Sequence, residues 1–211
     1  ESILSHVREV EAVGQRVGAV NTLKAIGKSW SARNTDVPGF LTPLDQRGGI
    51  RGVRASILGA GGSARAVAVG LASRGADVTV CARQRDRAAV VAELVGGTVG
   101  CLPPTQGSWD LLVNTTPVGT SPHEEETPVP AATLAGGSTV YDLVYNPGQT
   151  RLMREAAAAG CETIGGLAML VAQAVRQFEW WFDVTPPEEL FRSAALETLS
   201  ARDVMNQESS A

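Results

Sequence analysis

VRASILGAGGSA, residues Val53–Ala64, is an apolar run that stops at a glycine cluster and passes directly into a helical pattern. Ala55, Ile57 and Leu58 suit a buried strand. Gly59 permits the tight turn, Gly61 lets backbone approach a pyrophosphate, and Ala64 lets the next helix pack closely on the sheet. The free N–H groups at that helix start would then face phosphate. Taken alone, a G-x-G-x-x-A string is weak, because glycine-rich turns also join strands to helices where no ligand binds.

The surroundings strengthen it. Ala64–Ser73 carries Val67, Val69, Leu71 and Ala72 in a helix that Gly75 can end, and Asp77–Cys81 (DVTVC) follows as a second strand. That completes one βαβ unit. An NAD site usually places an acid at the tip of this second strand, about 20 residues past the first glycine, to bond the ribose 2′-hydroxyl. Here the tip reads Ala82-Arg83-Gln84-Arg85-Asp86-Arg87. With no carboxylate at the tip and three arginines, it suits a 2′-phosphate, which guanidinium grips through paired hydrogen bonds. The expected cofactor is therefore NADP; a solvated helix start is the plain alternative.

A chain of 211 residues with 44% hydrophobic and 19% charged content has material for one large or two modest domains and a sizeable core. Its net charge of −4 argues against nucleic acid or an acidic membrane as partner, so the arginine cluster is expected to meet a small anion. Cys81, Cys101 and Cys161 lie far apart and are odd in number. They argue against a disulfide framework and against a zinc site, and no metal is expected; each falls in a strand-like run and reads as a small buried residue. No apolar stretch approaches the ~20 residues of a membrane span, and no export signal opens the chain, so a reducing cytoplasm is expected. The first residue is glutamate, so the chain reads as trimmed, processed or a fragment.

Glu1–Arg16 has Ile3, Leu4, Val7, Val10 and Val13 at the spacing of an amphipathic helix, with a break near its middle as the alternative. Gly18–Leu23 and Ser29–Asn34 read as short strands or a hairpin across Gly27-Lys28, and Asp36 precedes an apolar helix start. Gln46-Arg47-Gly48-Gly49 reads as a linker and puts a domain boundary near residue 50. Beyond the first βαβ unit come helix Arg85–Leu94, strands Thr98–Cys101, Asp110–Asn114 and Ser138–Val144, helix Gln149–Ala159 and strand Cys161–Ile164. This alternation predicts an α/β fold with a Rossmann-type doubly wound parallel sheet over 51–164. The ligand should lie outside the carboxyl ends of the strands, near Gly59–Gly61, Asn114-Thr115-Thr116 and Tyr145-Asn146-Pro147. His123 sits in a proline- and acid-rich surface loop, Ser121–Pro130, and reads as exposed. Gly166 opens a helix whose stripe of Leu167, Leu170, Val171, Ala174, Val175, Phe178, Trp181 and Phe182 reads as core. Thr185-Pro186-Pro187-Glu188 reads as a capping box for a last helix ending near Leu199, with a disordered tail over 202–211.

Several strings occur in order: GAVNT (18–22), NTD (34–36), PGF (38–40), GAGGSA (59–64), VNTTPVG (113–119), YDLVYNP (141–147) and GLAMLVAQ (166–173). Together they resemble the shikimate dehydrogenase family over residues 1 to about 200. The resemblance implies that 1–50 is the remainder of an incomplete α/β substrate domain, that 51–164 binds NADP, and that 165–201 supplies helices closing the substrate domain. It implies interconversion of shikimate and 3-dehydroshikimate, in the route to aromatic amino acids, by hydride exchange with NADP. By the same resemblance Asp36 is catalytic and also contacts substrate, as do Asn21, Tyr145 and Gln173. Gly59, Ala60, Gly61, Gly62, Ser63 and Ala64 hold the diphosphate, with Thr116 beside them. Arg83 and Arg87 grip the 2′-phosphate, with Ala82 where the family usually has asparagine. Leu143, Gly166 and Met169 wall the nicotinamide.

Hydride transfer onto a ketone builds negative charge on oxygen and needs a proton donor within reach. In the family a lysine partnered by the aspartate supplies it, from a T-I-P-x-K type string some twenty residues before the AVNT asparagine. That position falls at or before Glu1, and Lys24 and Lys28 both follow Asn21, so the chain as given is expected to begin past its lysine and to be inactive alone. Plain alternatives stay open for single residues: Asn21 as a turn brace, Asp36 as a helix cap, Gln173 as solvent-exposed, Met169 as packing. Open for the whole are a non-catalytic dinucleotide-binding module, a quinate/shikimate dehydrogenase of broader range, and association as a homodimer.

Overall fold

In the computed structural model, which describes Ile3 and residues 6–208 (202–208 by backbone alone), the chain builds two sheets. Strand β1 (Glu9–Val10), helix α1 (Ala12–Val17), and strands β2 (Thr22–Ile26) and β3 (Ser29–Arg33) come first. β2 and β3 form the expected antiparallel hairpin, and β1 joins the other edge of β3 in parallel. The helical spacing over Glu1–Arg16 is thus overridden at its centre. The edge of β3 offers ladder partners there, Arg8 N–H donating to Trp30 O and Glu11 N–H to Ala32 O. A lone amphipathic stretch has no comparable local gain. Residues 1, 2, 4 and 5 of that stretch lie outside the described residues.

Helix α2 (Asp36–Asp45) starts where the Asn34 side chain accepts from Val37 N–H at 3.1 Å. Asn34, rather than Asp36, therefore does the capping. α2 buries Val37, Phe40, Leu41 and Leu44, and the Phe40 ring stacks on Tyr141 with centroids 5.1 Å apart.

The second sheet is parallel throughout. It holds β4 (Arg54–Leu58), β5 (Asp77–Cys81), β6 (Thr98–Val99), β7 (Leu111–Asn114), β8 (Thr139–Asp142) and β9 (Glu162–Gly165) in the order β6-β5-β4-β7-β8-β9. Alternate residues of one strand enter different cores, as the strand period of two requires. Ile57, Val113 and Tyr141 pack with α2 and with helix α3 (Gly62–Ser73), while Leu58, Leu112 and Val140 pack with Trp109 and with Leu152 of helix α5 (Arg151–Ala158). Both faces are covered, which explains near-continuous apolar strands. Between β4 and β7 the strand order reverses direction, so the loops leaving these two strands part and leave a crevice.

Helix α4 (Arg85–Glu93) follows β5, and β6 ends at Val99, so Cys101 falls in the next loop and is exposed, against the expectation of burial; Cys81 and Cys161 are buried. Helix α6 (Gly166–Phe182) departs from its expected core stripe. Val171 and Ala172 are buried against the body, but Trp181 and Phe182 are 41% and 60% exposed. The last turns of α6 meet the hairpin and the final helix: Trp181 Nε1–H donates to Leu23 O, and Phe178 touches the rings of Phe182 and Phe191. The final helix, α7 (Glu188–Glu208), starts at Glu188. Thr185 is therefore not its capping residue, and the helix runs on through 202–208 where a polar tail was expected; 209–211 lie outside the described residues.

Candidate active site

The crevice between β4 and β7 is a cleft of about 1170 Å³. Gly59, Ala60 and Gly61 line it from the β4 side, Thr115, Thr116, Pro117 and Val118 from the β7 side, and Ala82, Arg83 and Arg87 from the tip of β5. Gly59 is held at φ +107°, and a Cβ there would lie 2.6 Å from Thr115 Oγ1. Only glycine takes that backbone without strain. At Gly61 and Gly62 an added Cβ would meet nothing within 4 Å, so the loop presents open space beside its backbone. The first helical bond of α3 is Arg65 N–H to Gly61 O, and no side chain caps the helix. The N–H groups of Gly62, Ser63 and Ala64 therefore have no intrahelical acceptor, which is the arrangement that receives an anion. Arg83 and Arg87 are exposed and, among the described residues, neither has a carboxylate partner. A diphosphate at the helix start and a further phosphate at the arginines both fit these residues.

A second group gathers where β2, α2 and α6 meet. Asn21 Nδ2 donates to Asp36 Oδ1 at 2.7 Å and to Thr35 Oγ1 at 3.0 Å. Its Oδ1 accepts from Thr35 N–H at 3.0 Å and from Thr22 Oγ1 at 2.9 Å. The side chain is thus fixed at both ends, which makes the carboxamide orientation unambiguous. Asp36 is the first residue of α2, half-buried; burial raises its carboxyl above the usual carboxylate range, and the Asn21 bond opposes this in part. Across the interface Gln173 is not solvent-exposed: Thr35 Oγ1 donates to its Oε1 at 3.3 Å, and α2 comes so close that a Cβ on Gly39 would lie 2.7 Å from Gln173 Cβ.

Leu143, Gly166 and Met169 come together where β8 ends and α6 begins. A Cβ on Gly166 would lie 2.2 Å from Leu143 O, and Gly166 N–H donates to Val144 O at 3.2 Å. Leu143 and Met169 pack half-buried against the main core. None of the three lines the cleft; Tyr145 is 41% exposed.

Sequence reasoning missed the residues that tie these groups together. Asn114 Nδ2 donates to Asp142 Oδ1 at 2.9 Å, while its own Oδ1 accepts from Thr116 N–H and Thr116 Oγ1. Asp142, fully buried, also accepts from Val144 N–H and from Thr150 Oγ1, and Thr150 caps α5. Burial raises the Asp142 carboxyl, and these donors pull against it. The network holds the loop after β7 and the loop after β8 in register. Both of its carriers sit inside quoted strings, VNTTPVG and YDLVYNP, and buried polar residues at strand ends were the available signal.

Comparison with known proteins adds the family. Residues 166–196 match the family model described as the Shikimate 5'-dehydrogenase C-terminal domain. The shikimate dehydrogenase (NADP(+)) of Methanosarcina mazei is 42% identical over 204 residues, spanning 90% of this chain and 72% of that one. The chain belongs to the shikimate dehydrogenase family. Another shikimate dehydrogenase (NADP(+)), from Symbiobacterium thermophilum, is 38% identical over 217 residues, covering 96% of this chain and 74% of its own. Among solved structures, Shikimate 5-Dehydrogenase from Thermus thermophilus in complex with NADP(H) and shikimate superposes with a TM-score of 0.87 at 37% identity, over 93% of this chain and 75% of that one. A ligand-free 5-ketofructose reductase of Gluconobacter sp. strain CHM43 shares the fold with a TM-score of 0.82 at 32% identity, over 95% and 74%.

Proposed function

We propose that this chain is part of an enzyme that carries out the NADP-dependent interconversion of shikimate and 3-dehydroshikimate. The observation that carries the reading is the half-buried Asp36 carboxylate held by Asn21 Nδ2 at 2.7 Å, in a chain 42% identical to an NADP-dependent member of the family. Residues 51–164 serve as the cofactor unit, and 1–50 with 165–201 as the substrate unit. Bound NADP supplies the site that takes up or gives the hydride. The backbone N–H groups of Gly62, Ser63 and Ala64 hold its diphosphate, with Gly59, Ala60 and Gly61 forming the turn beneath it; Arg83 and Arg87 hold its 2′-phosphate, and Leu143, Gly166 and Met169 wall the nicotinamide, with Thr116 steadying the β7 side.

The remaining work belongs to the substrate group. Asp36 partners the proton donor near the substrate oxygen, and its raised carboxyl brings it toward the pH at which acid–base catalysis is efficient. Asn21 keeps that carboxylate aimed by donating to Oδ1 while Thr22 and Thr35 hold its other end. Gln173 and Tyr145 contact the substrate ring hydroxyls and set the face it presents. The three unpaired cysteines suit a reducing cytoplasm.

The test measures shikimate-dependent NADPH formation by the full-length protein. Asp36→Asn should lower turnover by about 10²-fold or more, the scale of lost acid–base function, with NADP affinity unchanged. Full turnover in the Asn variant overturns the role of Asp36; no shikimate-dependent NADPH from the unaltered full-length protein overturns the substrate.

A further inference from the structure

Gln177 lies one helical turn beyond Gln173 on α6, half-buried, and has no role in the function proposed above. Its Nε2 donates to Gln173 Oε1 at 2.7 Å and to Thr35 Oγ1 at 3.3 Å, so both of its N–H bonds are directed into the substrate group. The donor count around Gln173 follows from these contacts. The Thr35 hydroxyl lies 3.2 Å from Asn21 Oδ1 and 3.3 Å from Gln173 Oε1, but Asn21 Oδ1 already accepts from Thr22 and from Thr35 N–H, so the Thr35 proton goes to Gln173 Oε1, which has a lone pair open. Gln173 Oε1 then holds two donors, filling both lone pairs. One Gln173 N–H goes to Leu170 O at 3.1 Å. A single free N–H is left for a ligand, and the carboxamide cannot turn over without breaking the Gln177 bond.

We infer that Gln177 is a specificity-determining positioning residue: it locks Gln173 so that this side chain meets the substrate only as a hydrogen-bond donor. The inference rests on Gln173 being a substrate contact, as proposed above. Without Gln177 the oxygen and the amino group of Gln173 exchange freely. A hydroxyl or carbonyl oxygen that needs a donor then finds it only part of the time. An isosteric glutamate at 177 acts more strongly. Its carboxylate would face Gln173 Oε1, two acceptors in contact, and drive the carboxamide to the opposite orientation.

The experiment uses the full-length enzyme with saturating NADP, and compares shikimate with three analogues that each lack one ring hydroxyl; the analogue lacking the hydroxyl that is oxidised is read as a competitive inhibitor, with Ki in place of KM. Gln173→Ala first identifies the hydroxyl concerned, as the analogue on which that variant has no further effect. Gln177→Ala, and Gln177→Met, which keeps the side-chain length, should raise KM for shikimate about fivefold to tenfold, the range of one neutral hydrogen bond. kcat should change less than twofold, and KM for the identified analogue should hardly move. Gln177→Glu should raise the shikimate KM at least as far. A merely structural role would instead lower stability and affect all four ligands alike. KM values within twofold of wild type in all three Gln177 variants, with Gln173→Ala strongly affected, overturn the inference alone. If Gln173→Ala leaves every KM unchanged, the assignment of Gln173 falls, and that of Gln177 with it.

Discussion

Replacing Gly39 by alanine tests the packing that joins α2 to α6. The added Cβ would sit 2.7 Å from Gln173 Cβ, 2.9 Å from its N and 3.0 Å from its Cα. Two of these three atoms are backbone, so no rotamer change relieves the contact. Ordinary carbon contacts lie at about 3.5–4.0 Å, so the helices must part by up to about 1 Å. Overpacking of this kind costs about 1–3 kcal/mol, and alanine recovers up to about 1 kcal/mol of helix propensity over glycine. The expected net loss is about 1–2 kcal/mol, or a melting temperature lower by about 2–8 °C for a chain of this size. The same separation stretches the 3.3 Å contact between Thr35 and Gln173, so shikimate affinity should fall while NADP affinity holds. Scanning calorimetry gives the first quantity, and titration calorimetry with each ligand the second. An alanine variant as stable as wild type would show that the helices have room and refute the argument.

Three further outcomes are expected. NADP should bind at least about tenfold tighter than NAD, a difference near 1.4 kcal/mol, and Arg83→Asp should narrow the gap chiefly by weakening NADP; equal affinities in the unaltered protein would remove the arginines from recognition. Asp36, with its carboxyl raised by burial, contributes stability that is present below the usual carboxylate range and lost as pH rises through its raised folded value. Asp36→Asn should therefore match or exceed wild-type stability at pH 7 and lose that advantage as pH falls through this window, as urea unfolding at stepped pH would reveal; a variant less stable at pH 7 contradicts the sign. With iodoacetamide at pH 8, Cys101 should react quickly, while Cys81, its thiol pushed up to about 11 by burial, and buried Cys161 should wait for unfolding. Mass spectrometry showing early label on Cys81 would contradict it.

The β4–α3–β5 unit was legible because everything that makes it is local: an apolar run, a glycine turn and a helical period within thirty residues. Asp36 and Asn21 were legible only as members of short strings, since the bond between them joins residues 15 apart and no periodicity announces it. β1 was not legible. Its extended form depends on β3, and helical spacing was the stronger local signal. Gln177 was hidden for the same reason, as its partner Thr35 lies 142 residues away, and an isolated polar side chain on an amphipathic helix reads as solvent-facing. Cys101 misled because a strand pattern that stops two residues early leaves its last member in a loop.

The contact of Gly166 with Leu143 and Val144 makes the start of α6 a fixed origin, and the rest of the helix then acts as a gauge. At about 1.5 Å per residue, Gln173 stands roughly 10 Å and Gln177 roughly 16 Å along it from Gly166. The spacing between the proposed cofactor and substrate contacts on this helix is thus set by a count of residues in one rigid rod rather than by a flexible joint. A single-residue insertion between Met169 and Gln173 would swing the glutamine pair by about 100° off the face it shares with Thr35. Length changes are therefore barred from this half of α6, and diversification of substrate must proceed by exchange of side chains at fixed phase.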